Sequence, residues 1–157
     1  MKAVSVPRSI LNEMKTHARE TYPDECCGFL IGGLPPSELE STRGISTLVR
    51  AQNEFDGERR RRFLIRPEEL RDMERRTERE GRAILGFYHS HPDHPARPSL
   101  FDQEHAWPWY AYIVLSVTAT DVPEVGAFEL DADSSTFHSL PLEVVPTAAP
   151  SPGVAGG

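Results

Sequence analysis

Four of the six histidines fall within seventeen residues: His89, His91, His94 and His105. His89-Ser90-His91 closes the apolar run AILGFYH (83–89), which predicts a buried strand. Side chains alternate along a strand, so imidazoles two residues apart share one face. Two such nitrogens converging at a strand end make half of a zinc site. A catalytic site needs a third protein ligand and an open position for water. Asp102 can supply the carboxylate from the first turn of a helix predicted from Ser99 to about Ala106, across a loop stiffened by Pro92, Pro95 and Pro98. Zinc so held can bring the pKa of a water to about 7, and the chemistry is then hydrolysis at neutral pH.

Plainer readings exist for the same residues. An HSH triplet also fits a loop with two solvated or hydrogen-bonded histidines. Ser99-x-x-Asp102 is a capping box in its own right; that geometry fixes the Asp102 backbone and still lets a carboxylate oxygen face a metal. HSHPDH (89–94) matches the H-x-H-x-D-H pattern of metallo-β-lactamase-type hydrolases. Those sites need a further ligating histidine and a bridging aspartate on a second sheet layer. Only His105 and His138 follow, with too little chain for such a layer. His94 reads as loop surface and His105 as a helix-face residue, while His17 and His138 have no partner in sequence.

The elements that must position this set can be read from periodicity. Ile10, Leu11, Met14 and Ala18 recur at helical spacing, predicting an amphipathic helix over 7–21 that Pro23 ends. CCGFLIGG (26–33), residues 46–51 and residues 63–65 read as strands. Pro67 opens a second helix, followed by Glu68 and Glu69 and running to Gly81, with Leu70, Met73 and Thr77 inward. Residues 110–118 form the strongest strand pattern, and 125–130 and 137–145 add two more. Helices and strands mix without strict alternation, which predicts an α/β sandwich around a mixed sheet.

The chain has 157 residues, 17 Lys plus Arg against 24 Asp plus Glu, and 38% apolar residues. That fits one domain over 1–145, with a low-complexity, disordered tail over 146–157. A formal charge of −7 excludes a generally basic nucleic-acid binder. No apolar stretch approaches the roughly 20 residues that span a bilayer. The only cysteines, Cys26 and Cys27, are adjacent, so a disulfide framework is not expected. The expectation is a cytoplasmic protein with reduced thiols.

The full pattern is His89-Ser90-His91, seven residues, Ser99, two residues, Asp102. It resembles the H-[ST]-H-x7-S-x2-D signature of the JAMM (MPN+) zinc metalloproteases. PDECCGFLIGG (23–33) looks like the family's first strand with its glutamate, FLIRPEEL (63–70) like its strand-to-helix junction, and ILGFYHSHPDHPARPS (84–99) like bacterial members. The resemblance implies the JAMM/MPN, cytidine-deaminase-like fold, a mixed and mostly antiparallel sheet flanked by helices. It implies one Zn2+ per chain on His89, His91 and Asp102. Glu25 would be the general acid/base and Ser99 the oxyanion donor. Without that pattern, Glu25 would read as a solvated connector.

The implied reaction is hydrolysis after the C-terminal Gly-Gly of a ubiquitin-like β-grasp protein. Only Gln103 to Trp109 separate Asp102 from the next strand, leaving no room there for a second-ubiquitin insertion. The short form is similar to CysO-cysteine peptidases that process ThiS/MoaD-like sulfur carriers. A deubiquitinase-like isopeptidase and a zinc-free MPN binding scaffold are the rival readings. A deaminase would need a P-C-x-x-C ligand pair, which is absent here. A homodimer is left open. Arg59-Arg60-Arg61-Arg62 could be a docking patch for an acidic carrier or a solvated loop. The terminal Gly156-Gly157 could mimic product in the chain's own cleft or be a plain disordered end.

Overall fold

A computed structural model describes residues 1–34, 42–53, 55–59 and 62–147. Among the described residues, eight strands and three helices follow one another as β1 (Ala3–Pro7), α1 (Arg8–Thr21), β2 (Cys27–Gly32), β3 (Thr42–Ala51), α2 (Pro67–Arg79), β4 (Ala83–Pro92), α3 (Leu100–His105), β5 (Ala111–Val117), β6 (Glu124–Leu130), β7 (Phe137–Leu140) and β8 (Leu142–Val145). The strands form one sheet in the order β7-β6-β5-β4-β2-β3-β1-β8. Four of its seven pairings are antiparallel, while β1–β3, β1–β8 and β4–β5 are parallel. This is the mixed, mostly antiparallel sheet that the resemblance implies.

The expected strand over 137–145 is in fact two. Pro141 has no N–H to give to a ladder, and the chain breaks there: β7 pairs with β6 and β8 with β1. These are opposite ends of the strand order, yet one residue joins them. The sheet must therefore curl until its two edges come near each other, and the Val4 N–H donates to the Pro141 carbonyl at 3.0 Å where the β1–β8 pairing starts. β1 has no counterpart in the sequence reading. Residues 63–65 form no ladder, and their apolarity serves packing instead, as shown below.

The helices cover opposite faces of the sheet. α1 buries Leu11, Met14, His17 and Ala18, packing with Val4, Leu30, Leu85, Ile113 and Leu115 in the larger core. α2 buries Met73 and Thr77, and Met73 joins Phe29, Ile31, Ile84 and Phe87 in the smaller one. Pro67 opens α2, Glu68 and Glu69 face its positive end, and Arg76 and Arg79 its negative end. Gly81, at φ +69°, turns the chain out of it. Cys26 lies in the first core and Cys27 in the second, as alternation predicts, and neither is in a disulfide. Among the described residues no helix is long and apolar enough to cross a membrane.

A bulge re-phases β4. Leu30 pairs with Gly86 but Ile31 with Ile84, leaving Leu85 as an extra residue. Leu85 and Tyr88 then face the α1 core, while Ile84 and Phe87 face the α2 core. His89 and His91, at two-residue steps from Phe87, follow on the α2 side. The Arg43 guanidinium donates to the Leu85 carbonyl at the bulge, at 3.1 Å. A side chain at Gly86 would collide with the Ala111 carbonyl of β5, so glycine is required where the strands come this close.

Candidate active site

The end of β4 carries His89 and His91, 1% and 6% exposed, and their Nε2 atoms lie 3.1 Å apart. Asp102 comes from the first turn of α3, where the capping box forms as expected. Ser99 Oγ accepts the Asp102 N–H at 3.1 Å, and Asp102 Oδ2 accepts the Ser99 N–H at 2.8 Å. That same Oδ2 lies 3.0 Å from His89 Nε2 and 3.1 Å from His91 Nε2. The cap and the cluster thus use one oxygen. Glu25 closes the group: Oε1 is 3.6 Å from His91 Nε2, and the ligand atoms of Glu25, His89 and His91 all lie within 4.8 Å of one another.

The donor set fits a metal ion. Ligands about 2.0 Å from a tetrahedral centre stand about 3.3 Å apart, close to the 3.0–3.1 Å separations of the two nitrogens and Oδ2. His91 Nδ1 donates to the Pro95 carbonyl at 3.1 Å, leaving Nε2 with its lone pair toward the cluster. Glu25 Oε2 is buried with no hydrogen-bond partner among the described residues. Such an orphan is costly unless an ion or water meets it. Two imidazoles and two carboxylates of this kind could hold zinc.

Burial and charge divide the two carboxyl groups. Desolvation, then the nearby Asp102, push the Glu25 carboxyl up to about 9. Burial acts on Asp102 in the same direction, but the His89 imidazole, with hydrogen bonds from His89, His91 and Ser99, outweighs it and holds Asp102 well below the usual carboxylate range. His89 is lowered by burial, with Asp102 partly offsetting. One carboxyl is therefore fixed as an anion while the other readily holds a proton. This is how one site supports both charge stabilisation and proton transfer.

The cluster opens to more than one side. On one side Glu25, His91, Pro92, His94, Pro95, Arg97 and Ser99 line an open cleft. On the other, a narrow pocket of about 80 Å³ abuts His89 and Asp102, walled by Phe63, Leu64, Phe87, Trp107 and Tyr112 among others. The 63–65 segment finds its use here: the Phe63 ring stacks on His89 with centroids 4.5 Å apart. His94 is exposed at the cleft. His105 is exposed and stacks on Phe101, one turn from the cluster. His17 has the partner that sequence could not show, with Nδ1 2.7 Å from the Tyr88 hydroxyl. Of the arginine run, Arg59 donates to the Phe55 carbonyl and Arg62 lies over Phe101 at 4.9 Å. Arg60, Arg61 and the Gly156-Gly157 end lie outside the described residues.

A buried group of two histidines and two carboxyls beside an open cleft could bind a metal ion. Comparison with known proteins gives the lineage. The family model "Prokaryotic homologs of the JAB domain" matches residues 7–131. A curated protein of Haloferax volcanii, named desampylase, is 32% identical over 109 residues, covering 69% of this chain and 73% of that protein. A solution structure from Salinibacter ruber shares 32% identity with TM-score 0.68, covering 96% and 95% of the two chains. One from Desulfitobacterium hafniense has TM-score 0.76 at 24% identity, covering 92% and 94%. A JAB1/MPN domain protein from Archaeoglobus fulgidus has TM-score 0.58 at 18% identity, covering 92% and 100%. The chain belongs to the prokaryotic JAB (JAMM/MPN) family and is a JAB-type hydrolase.

Proposed function

We propose that residues 1–145 form a zinc-dependent peptidase or isopeptidase that cuts after the C-terminal Gly-Gly of a ubiquitin-like β-grasp protein. The observation that carries this reading is the meeting of His89 Nε2, His91 Nε2 and Asp102 Oδ2 within 3.1 Å, with the Glu25 carboxyl beside them. His89, His91 and Asp102 would hold one Zn2+. When bound, zinc supplies Lewis acidity, acidifying water and polarising the scissile carbonyl.

Glu25 takes the proton from the attacking water and returns it to the leaving amine. The Ser99 hydroxyl already accepts the Asp102 N–H, so its own proton is available to the oxyanion formed in the cleft. The apolar pocket beside His89 has room for a single aliphatic side chain of the substrate tail near the scissile bond.

The relative named desampylase supports a ubiquitin-like modifier as one half of the substrate. The link from α3 to β5 is only Ala106–Tyr110. That supports a small leaving group over a second folded domain, and hence a ThiS/MoaD-like sulfur carrier losing cysteine or a short C-terminal extension. Two buried cysteines outside any disulfide are in keeping with a cytoplasmic setting. The test is incubation of the zinc-loaded protein with β-grasp carriers bearing C-terminal extensions, read by intact mass. Release of everything after Gly-Gly supports the carrier reading. Cleavage of isopeptide-linked conjugates alone turns the assignment to a deconjugating enzyme.

A further inference from the structure

Glu25 is carried by no helix or strand. It lies between the end of α1 at Thr21 and the start of β2 at Cys27, so no ladder fixes its backbone. Both of its peptide groups are instead held from one neighbouring segment. The Glu25 N–H donates to the Arg59 carbonyl at 2.8 Å, and the Glu25 carbonyl accepts Nδ2–H of Asn53 at 3.2 Å. Asn53 also donates to the Arg62 carbonyl at 2.8 Å, and its Oδ1 accepts the N–H groups of Phe55 at 3.0 Å and Leu64 at 3.1 Å. All four hydrogen-bonding positions of the carboxamide are filled. Arg59 is tied into the same segment through Nε on the Phe55 carbonyl at 3.1 Å.

One side chain thus does two things. Its oxygen gathers Phe55 and Leu64. Its nitrogen joins the Arg62 carbonyl to that of Glu25. We propose that Asn53 is a positioning residue for proton transfer, its Nδ2 aiming Glu25 at the cleft by fixing the backbone that carries it. This rests on the reading of Glu25 as the acid/base. A shift of about 1 Å in a reacting group can lower turnover by about 10²-fold, and without Asn53 the Glu25 carbonyl loses its one side-chain brace among these contacts, leaving the Arg59 carbonyl and the Cys26–Ser90 pair to hold the backbone.

Two substitutions separate the two jobs. Asn53→Ala removes both. Asn53→Asp keeps the acceptor for Phe55 and Leu64 but has no proton to give the Glu25 and Arg62 carbonyls. In the zinc-loaded full chain, both variants should lose about 10–100-fold in kcat with KM within about threefold of wild type. Amide exchange followed by NMR should show Glu25 losing protection at least tenfold in both. Leu64 should lose it only in Asn53→Ala. Wild-type kcat and Glu25 protection in Asn53→Asp would overturn the proposal, as would a loss confined to KM. If Asn53→Ala does not fold, Asn53→Asp decides alone. Wild-type protein inert on every carrier and conjugate would count against the functional reading, and Glu25 exchange would still decide whether Asn53 fixes that residue.

Discussion

Ser90 Oγ accepts the N–H of Cys26 at 2.8 Å, and the Ser90 N–H donates to the Cys26 carbonyl at 3.1 Å. The middle residue of the histidine triplet, fully buried, is therefore locked to the residue that follows Glu25. Metal ligands and acid/base group are registered to one another through this reciprocal pair. Ser90→Ala leaves a buried N–H without an acceptor, which destabilises by about 1–3 kcal/mol. The melting temperature should fall by roughly 3–10 °C, and turnover should fall with zinc retained. A wild-type melting curve for Ser90→Ala would show the lock to be incidental.

His17 sets a pH window for stability. Burial, then Arg50, lower its pKa to about 4 from 6.5, with Glu20 partly offsetting. The unfolded chain takes up a proton near pH 6.5 while the folded chain resists until about 4. Stability from this group is thus full above 6.5 and lost as pH falls toward 4. Urea unfolding at pH 7.0, 5.5 and 4.5 should show the wild type weakening more than His17→Gln, which still reaches the Tyr88 hydroxyl. Equal pH slopes would remove His17 from the account.

The apolar pocket should set substrate preference. Trp107, half exposed at its rim, and Leu64 beside it each offer contact worth about 1–2 kcal/mol to an aliphatic side chain. Trp107→Ala should raise KM about 5–30-fold for a carrier with an aliphatic residue near the Gly-Gly. It should change little for a carrier with glycine there. An equal effect on both carriers would argue against a side-chain pocket.

Much of the site was legible because its geometry is local. A strand's two-residue period alone brings His89 and His91 together, and a capping box alone fixes Asp102 and Ser99. The helices at α1 and α2 were legible through their apolar stripes and, for α2, Pro67. What escaped depends on distant pairing. β1 exists because it pairs with β3 and β8, and no short window contains that fact. Pro141 marked the break between β7 and β8, yet nothing local says that the two halves go to opposite edges. Phe63 looked like strand because an apolar run can serve either a ladder or a pocket wall. Gly86 was the one local clue to the bulge that re-phases β4. Asn53 looked like any loop asparagine until its four partners, spread from Glu25 to Leu64, could be seen together.

The central claim is that a zinc ion on His89, His91 and Asp102 acts with Glu25 in bond cleavage. Its most direct test is to measure zinc content and carrier cleavage side by side in wild type and Glu25→Gln. The account predicts one zinc per chain in both, cleavage after Gly-Gly by the wild type, and loss of turnover in Glu25→Gln. A fully active Glu25→Gln protein, or a wild type that cleaves equally well stripped of metal, would contradict it.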